Sequence, residues 1–339
     1  MSAFEEPLVS IVTPVYNGGP YLAECIESVL AQTYSHWDYV IVDNCSTDET
    51  GRIAENYARK DSRIRVYHND ELLPIIANHN HAFKLISPDS KYCKVVSGDD
   101  WIYPECVARM VELAEANPSI GVVGSYQLSG GGGKWYVRTF GLPYSSTVVP
   151  GREIAGAHLL GTLDVLGDPT SSLYRSDLIR RTDSFFPNPT AEADVSAIYE
   201  CLRFSDFGFV HQVLSYERLH PEQITHTSRR FNAFFSSKIG DLRTYGPFFL
   251  DPAEQDARIQ DLMDKYYDVL ASSAVRFREK EFWSYHKRRL REVGFPFSGI
   301  RLAKAVSAKI LDILLNPKNT SEKFLRRLTT SQNLQRTSL

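Results

Sequence analysis

Along the first hundred residues, short apolar runs alternate with segments whose apolar positions recur every three or four places. Leu8 to Val12, apolar except for Ser10, predicts a buried strand that stops at Thr13-Pro14. Asn17 to Pro20 reads as a turn, and Leu22, Cys25, Ile26, Val29 and Leu30 then fall at helical spacing within Tyr21 to Gln32. A second strand, Tyr39 to Val42, ends at Asp43. Ser46 with Glu49 three places later has the form of a capping box, which predicts a helix from there through Ala58. Ile64 to Tyr67 predicts a third strand, residues 75 to 86 a helix, and Tyr92 to Val96 a fourth strand that ends at Ser97-Gly98-Asp99-Asp100. This alternation predicts an α/β fold with a mainly parallel sheet flanked by helices and ligands bound beyond the carboxyl ends of the strands.

From His226 the pattern becomes helical throughout, rich in aromatic and basic residues, as in 252 to 273. Charge changes at the same place: 17 Lys and Arg stand against 29 Asp and Glu up to Thr225, and 21 against 12 after it. Two regions follow, an α/β domain over 1–225 and a basic α-helical region over 226–339. Between Ser298 and Leu315 the basic Arg301, Lys304 and Lys309 share one arc with Asp312, and Leu302, Val306, Ile310, Ile313 and Leu314 share the other. Such a helix can make peripheral contact with a membrane, and packing on the protein explains the same stripe.

Composition narrows the chemistry. With 339 residues, 43% apolar and 23% charged, and a formal net charge of −3, the chain has the make-up of a globular protein and not of a nucleic-acid coat. Its five cysteines are scattered without a CxxC pair, which fits a reducing compartment better than a disulfide framework. The N-terminus has no secretory pattern and no window nears about 18 apolar residues, so a cytoplasmic protein is expected, on the inner face of the membrane if the helical region binds lipid. The first turn is TPVYNGG, not GxGxxG, and Gly133-Lys134-Trp135 is not a P-loop, so dehydrogenase and P-loop readings lose their support. Gly130 to Gly133 reads as a flexible loop between Tyr126 to Leu128 and Trp135 to Val137. What remains at the strand ends are carboxylates. Adjacent Asp99 and Asp100, with Asp43 at a neighbouring strand end, suit a hard divalent cation whose other ligands are diphosphate oxygens.

Val9 to Pro104, with TPVYNGGPYLAECIESVLAQTY, DYVIVDNCSTDET and VVSGDDWIYPE, resembles the family-2 inverting glycosyltransferases of the GT-A fold. A looser similarity continues to about Thr225 through GDPTSSLYRSDLI, AEADVSAIYECL and FVHQVLSYERLH. The resemblance implies transfer of a sugar from a nucleotide-diphosphate donor, UDP-type favoured, to a glycan or lipid-linked acceptor in polysaccharide or glycoconjugate synthesis, with Mn²⁺ or Mg²⁺. It implies that Thr13, Pro14 and Tyr16 shape the base pocket and that Asp43 accepts a hydrogen bond from the base edge. In the DxD-like motif it implies Asp99 beside the ribose and diphosphate and Asp100 as principal metal ligand. Ser97 stands where the pattern commonly carries Asp, and His79 where Arg is frequent. Arg218 and His220 match positions that approach the diphosphate, and the Gly167 to Ser172 loop borders the acceptor pocket with Asp168 as a sugar-hydroxyl ligand. Inversion requires a base opposite the leaving group. Asp194 matches the acidic motif that supplies it, with Glu192 the other candidate; Asp at this place also serves as a helix N-cap. A non-catalytic nucleotide-sugar or glycan binder of the same fold is the rival reading. A nucleotidyltransferase fits less well, because TPVYNGG lacks a basic residue.

Overall fold

The computed structural model describes residues 6–131, 133–138, 142–188, 190, 192–220, 231–274 and 278–315. Among these the strands are β1 (Val9–Val15), β2 (Trp37–Asp43), β3 (Ile64–His68), β4 (Tyr92–Val95), β5 (Trp101–Ile102), β6 (Ile120–Gly131), β7 (Lys134–Arg138), β8 (Val148–Val149), β9 (Ser172–Arg175) and β10 (Asp206–Arg218). The helices are α1 (Leu22–Leu30), α2 (Thr50–Ala58), α3 (Ile75–Lys84), α4 (Cys106–Ala116), α5 (Gly151–Leu160), α6 (Ser176–Ile179), α7 (Ala193–Leu202), α8 (Phe234–Phe249), α9 (Pro252–Ala274), α10 (Lys280–Glu292) and α11 (Gly299–Leu315).

One sheet runs in the order β3-β2-β1-β4-β9-β6-β10-β5, with β7 added on β6 and β8 on β10. Its first four strands are parallel, as the alternation predicts. The other half is mixed: β9 is antiparallel to both β4 and β6, β10 is parallel to β6, and β5 is antiparallel to β10. All seven residues of β1 are buried, because strands cover both its edges and α1 and α3 pack on its faces. Beneath it, Leu22, Cys25, Ile26 and Val29 of α1 join Ile11, Tyr39, Ile41 and the α4 residues Cys106, Val107 and Met110 in one core. Each such aliphatic side chain contributes about 1.5–3 kcal/mol on burial.

Three local expectations are corrected. β1 does not stop at Thr13-Pro14 but continues to Val15. The Val12 carbonyl accepts from Val96 N and the Val15 carbonyl from Asn44 N, so alternation turns Pro14 toward β4, whose ladder has already ended at Val12↔Val95. The missing N–H therefore costs no bond. The capping box does not form, since Ser46 Oγ accepts from Asn17 N and α2 begins only at Thr50, where Asp48 Oδ1 accepts from Thr50 N at 3.0 Å. Gly130 and Gly131 belong to a strand and not to a flexible loop: β6 extends through Gly131 and pairs with β7 from Lys134, with Gly133 at φ 79°. Gly131 must lack a side chain, because a Cβ there would lie 2.1 Å from the Leu219 carbonyl oxygen.

The chain divides into compact units at 1–255 and 256–339. The expected boundary at 225/226 lies outside the described residues, and α8 packs against α5 and α7 in the first unit. In the second unit, the Tyr266 hydroxyl lies 2.6 Å from His286 Nδ1, and Ser298 N donates to Tyr267 Oη at 2.7 Å. All five cysteines are free. No helix among the described residues is long and apolar enough to cross a membrane.

Candidate functional site

The carboxyl ends of β2, β1 and β4 lie side by side, and each carries part of one polar rim. With strands about 4.8 Å apart, Asp43 at the end of β2 and the turn after β4 are two strand spacings, roughly 10 Å, from each other. Between them β1 alternates inward and outward. Thr13 points into the core, where its hydroxyl donates to the Val96 carbonyl at 2.7 Å and lies 2.8 Å from Tyr39 Oη. Its side chain therefore fixes the exit of β4 rather than facing a ligand. Pro14 is also buried, whereas Tyr16 is half exposed at the rim. Asn17, at φ 49°, stitches this loop to the next one by accepting from Thr47 N at 2.8 Å.

Asp43 is buried and held on both oxygens: Oδ1 accepts from Ser46 N at 3.0 Å and Oδ2 lies 3.0 Å from His68 Nδ1. The other ring nitrogen of His68 lies 3.1 Å from Glu55. Bonding to Glu55, and then to Asp43, outweighs partial burial and raises the His68 pKa. The sequence reading did not select His68, which becomes a partner only once β3 is set beside β2.

Asp99 and Asp100 meet Arg218 and His220 across more than a hundred residues. The link is β5, whose Trp101 and Ile102 pair with Tyr216 and Ser215 of β10 and so bring the turn after β4 to the end of β10. Arg218 N donates to Asp100 Oδ1 at 3.0 Å, Arg218 Nε donates to the Asp99 carbonyl at 3.0 Å, and His220 Nε2 lies 3.0 Å from Asp99 Oδ2. The guanidinium also pairs with Glu24 of α1 and sits 4.8 Å from the Tyr21 ring centroid. On the other side the Thr170 hydroxyl donates to Asp100 Oδ2 at 2.7 Å, accepts from Ser97 N at 3.1 Å and lies 3.2 Å from Ser97 Oγ. Burial, then the charges of Asp99 and Asp168, push the Asp100 carboxyl well above the usual carboxylate range. Lys94, buried inside β4, props the same loop from below by donating to the Thr170 and Ser172 carbonyls. Among the described residues, no three His, Cys, Asp or Glu side chains converge to hold a metal ion unaided.

Asp168 caps the turn at 169–171, with Oδ1 accepting from Ser171 N at 3.1 Å and from Gln127 Nε2 at 2.9 Å. His79 is stacked on Phe186 at 5.4 Å and bonded to the Ile75 carbonyl, and His81 faces Asn69, so the two imidazoles serve separate contacts.

A second acid-rich group lies at the start of α7. Glu192, not Asp194, is the N-cap residue, and Asp194 lies in the first turn, so the capping alternative for Asp194 does not hold. Burial chiefly, offset in part by Lys238 and reinforced by the charges of Asp241 and Asp194, pushes Glu192 up to about 8. Burial likewise pushes Asp241 of α8 up to about 7, although Ser196 Oγ donates to it at 2.6 Å. The Tyr174 hydroxyl is raised by burial and then by Asp194, with Asp168 a smaller contributor, and Asp168 also acts on Asp100. Asp241 and Lys238 were missed because helix 234–249 reads as part of the C-terminal region. A cavity of about 600 Å³ against Arg203, Phe204, Asp206 and Phe248 lies where β10 begins. Twelve residue steps along that strand, about 40 Å, separate it from Arg218 at the rim.

Residues 10–182 match the family model described as Glycosyl transferase family 2. An uncharacterized glycosyltransferase of Rickettsia typhi is 30% identical over 227 residues, covering 66% of this chain and 67% of that protein. The chain spans only 13% to 39% of the length of three other curated relatives. Among solved structures, TarS 1–349 of Staphylococcus aureus in complex with UDP-GlcNAc matches with a TM-score of 0.62 at 17% identity, covering 85% of this chain and 80% of that one. The mannosyltransferase PcManGT of Pyrobaculum calidifontis in complex with GDP-Man and Mn²⁺ matches with a TM-score of 0.55 at 13% identity, covering 92% and 88%. At these identities the likeness concerns the fold, which is the expected GT-A arrangement.

Proposed function

The chain belongs to glycosyl transferase family 2, and from that premise we propose that it transfers a sugar from a nucleoside-diphosphate sugar to a hydroxyl acceptor with inversion at the anomeric carbon. The observation that carries the reading is the junction of Asp99 and Asp100 with Arg218 and His220, on the same sheet rim as Asp43. Asp43, oriented by Ser46 N and His68, would accept a hydrogen bond from the base edge, with half-exposed Tyr16 against the base. Thr13 and Pro14 would contribute by setting the course of β1 rather than by direct contact. Arg218, steadied by Glu24 and the Asp99 carbonyl, would face the diphosphate with His220, and a guanidinium is well shaped for that anion. UDP-type donors are favoured. TarS was solved with UDP-GlcNAc and PcManGT with GDP-Man, so the fold itself admits either base.

The residues at the rim fit Mn²⁺ or Mg²⁺. Asp99 and Asp100 offer hard oxygen ligands, and the neighbouring carboxylates press the Asp100 charge in a way that a cation relieves. Asp100 would be the principal protein ligand and Asp99 the second, with diphosphate oxygens completing the shell. When bound, the ion offsets negative charge on the departing diphosphate. Asp194 would take the proton from the acceptor hydroxyl. Glu192 suits that task less well, because a carboxyl raised to about 8 still holds its own proton at neutral pH. Asp168, whose Oδ1 is engaged in capping, borders the acceptor side.

Asp194→Asn provides the test, since it disables proton removal alone. Turnover of a UDP-sugar panel should fall by about 10²–10⁴ while donor affinity, read from the thermal shift, changes by less than about twofold. Full turnover in a folded Asp194→Asn protein would remove the base assignment. Donor binding without product in the unmodified chain would instead favour the non-catalytic rival.

A further inference from the structure

The transfer chemistry leaves the surface of α11 unused. The start of this helix is tied to α9 by Ser298 N donating to Tyr267 Oη at 2.7 Å, and Leu302 and Val306 are half-buried. Ile300, Ile310, Leu311, Leu314 and Leu315 are 47% to 85% exposed. At 100° per residue these five fall within an arc of about 140°, with Lys304 inside it, Arg301 just beyond one edge and Lys309 on the opposite side. A helix needed only for packing on its own unit would carry polar residues at such positions. Within Gly299–Leu315 the basic Arg301, Lys304 and Lys309 stand against Asp312, so the helix is cationic as well as apolar. Lysine between two exposed aliphatic residues is hard to match in a protein groove, which would need an acid set inside an apolar wall. A lipid leaflet meets both needs at once, because the apolar chains take the aliphatics while long basic stems carry their charge to the headgroups.

We propose that α11 lies in the plane of an anionic lipid leaflet, with Ile300, Ile310, Leu311, Leu314 and Leu315 inserted and Arg301 and Lys304 at headgroup level. The contact is peripheral, and it does not depend on the donor or acceptor of the transfer reaction.

Flotation of the full chain with phosphatidylglycerol-rich vesicles, against vesicles of phosphatidylcholine alone, decides it. The unmodified chain should float with the anionic vesicles and release as salt rises. Leu311→Glu/Leu314→Glu should lower partitioning by more than about tenfold, and Arg301→Gln/Lys304→Gln by about fivefold per charge, with melting temperatures unchanged because these side chains are exposed. Absent flotation of the unmodified chain, or equal flotation of the Leu311→Glu/Leu314→Glu protein, would overturn the proposal. Sedimentation showing a dimer that this variant dissolves, without vesicle binding, would overturn it in favour of a second copy as the occupant.

Discussion

Asp100 and Asp241 are both buried carboxylates in the first unit, and both are pushed upward by burial and by acidic neighbours. Their surroundings differ. Around Asp100 the donors are fixed: the Thr170 hydroxyl, the Arg218 backbone N–H and, on Asp99, His220. Around Asp241 there is the Ser196 hydroxyl, with Glu192 and Asp194 close by and Lys238 4.0 Å from Glu192. A rim built from fixed donors holds its shape for a charged ligand and can exchange repulsion for a cation. Asp241, on which the Ser196 hydroxyl is the side-chain donor among the described residues, relieves the same repulsion by keeping its proton. Position in the fold therefore divides one residue type between gripping an anion with its counterion and handling hydrogen.

The largest effect is expected at the rim. Asp100→Ala should reduce turnover by about 10³-fold or more, near 4 kcal/mol, and abolish the extra thermal shift that Mn²⁺ gives with a nucleoside diphosphate. If the Mn²⁺-dependent shift survives, the rim does not act through a cation and the contrast with Asp241 disappears.

The proton-keeping group makes its own prediction, in stability. Unfolded, Glu192 and Asp241 release protons near their ordinary 4.5 and 3.8, but folded they keep them to about 8 and about 7. Between these limits the unfolded state binds fewer protons, so this contribution is complete below about pH 4 and is lost as pH rises through 7 to 8. The slope is at most about 1.4 kcal/mol per pH unit for each group. Denaturation curves at several pH values should show the decline flattened in Glu192→Gln/Asp241→Asn relative to the parent. The comparison with the variant matters, because Asp48 and Asp177 are lowered carboxyls whose linkage has the opposite sign. An identical slope in both proteins would mean that the group is ionised like any surface acid.

The rim was more legible in the sequence than the second group, for physical reasons. Strand ends can be read from apolar runs, and parallel order places successive ends side by side, so Asp43, Asp99 and Asp100 could be grouped before any coordinates. Arg218 and His220 could be selected by resemblance, but their bonds to Asp99 depend on β5 pairing with β10, a two-residue contact that leaves no pattern. Lys94 was invisible because a lysine in an apolar strand looks like a face change, whereas here it reaches two carbonyls of the Thr170 loop. The resemblance implies a pocket role for Thr13, but period-two geometry turns its hydroxyl inward to the Val96 carbonyl. Asp241 was out of reach because composition separates helix 234–249 from the domain on which it packs.

The smallest change proposed converts one environment partly into the other. Thr170→Val keeps the shape of the side chain but removes the hydroxyl that donates to Asp100 Oδ2 and receives Ser97 N. Asp100 would then rely on Arg218 N and come to resemble Asp241 in its shortage of donors, so it should hold a proton more readily and compete less well for a cation. Losing a hydrogen bond to a charged acceptor is worth about 1.5–3 kcal/mol. Backbone adjustment at Ser97 offsets part of that, so the Mn²⁺ concentration for half-maximal turnover should rise about tenfold, more steeply at acid pH than at neutral pH. Because kcat at saturating Mn²⁺ would stay near the parent value, the measurement separates weakened cation holding from a damaged base. An unchanged Mn²⁺ requirement would show that the Thr170 hydroxyl serves only to close its loop, and that the donors on Arg218 and His220 suffice to set the character of the rim.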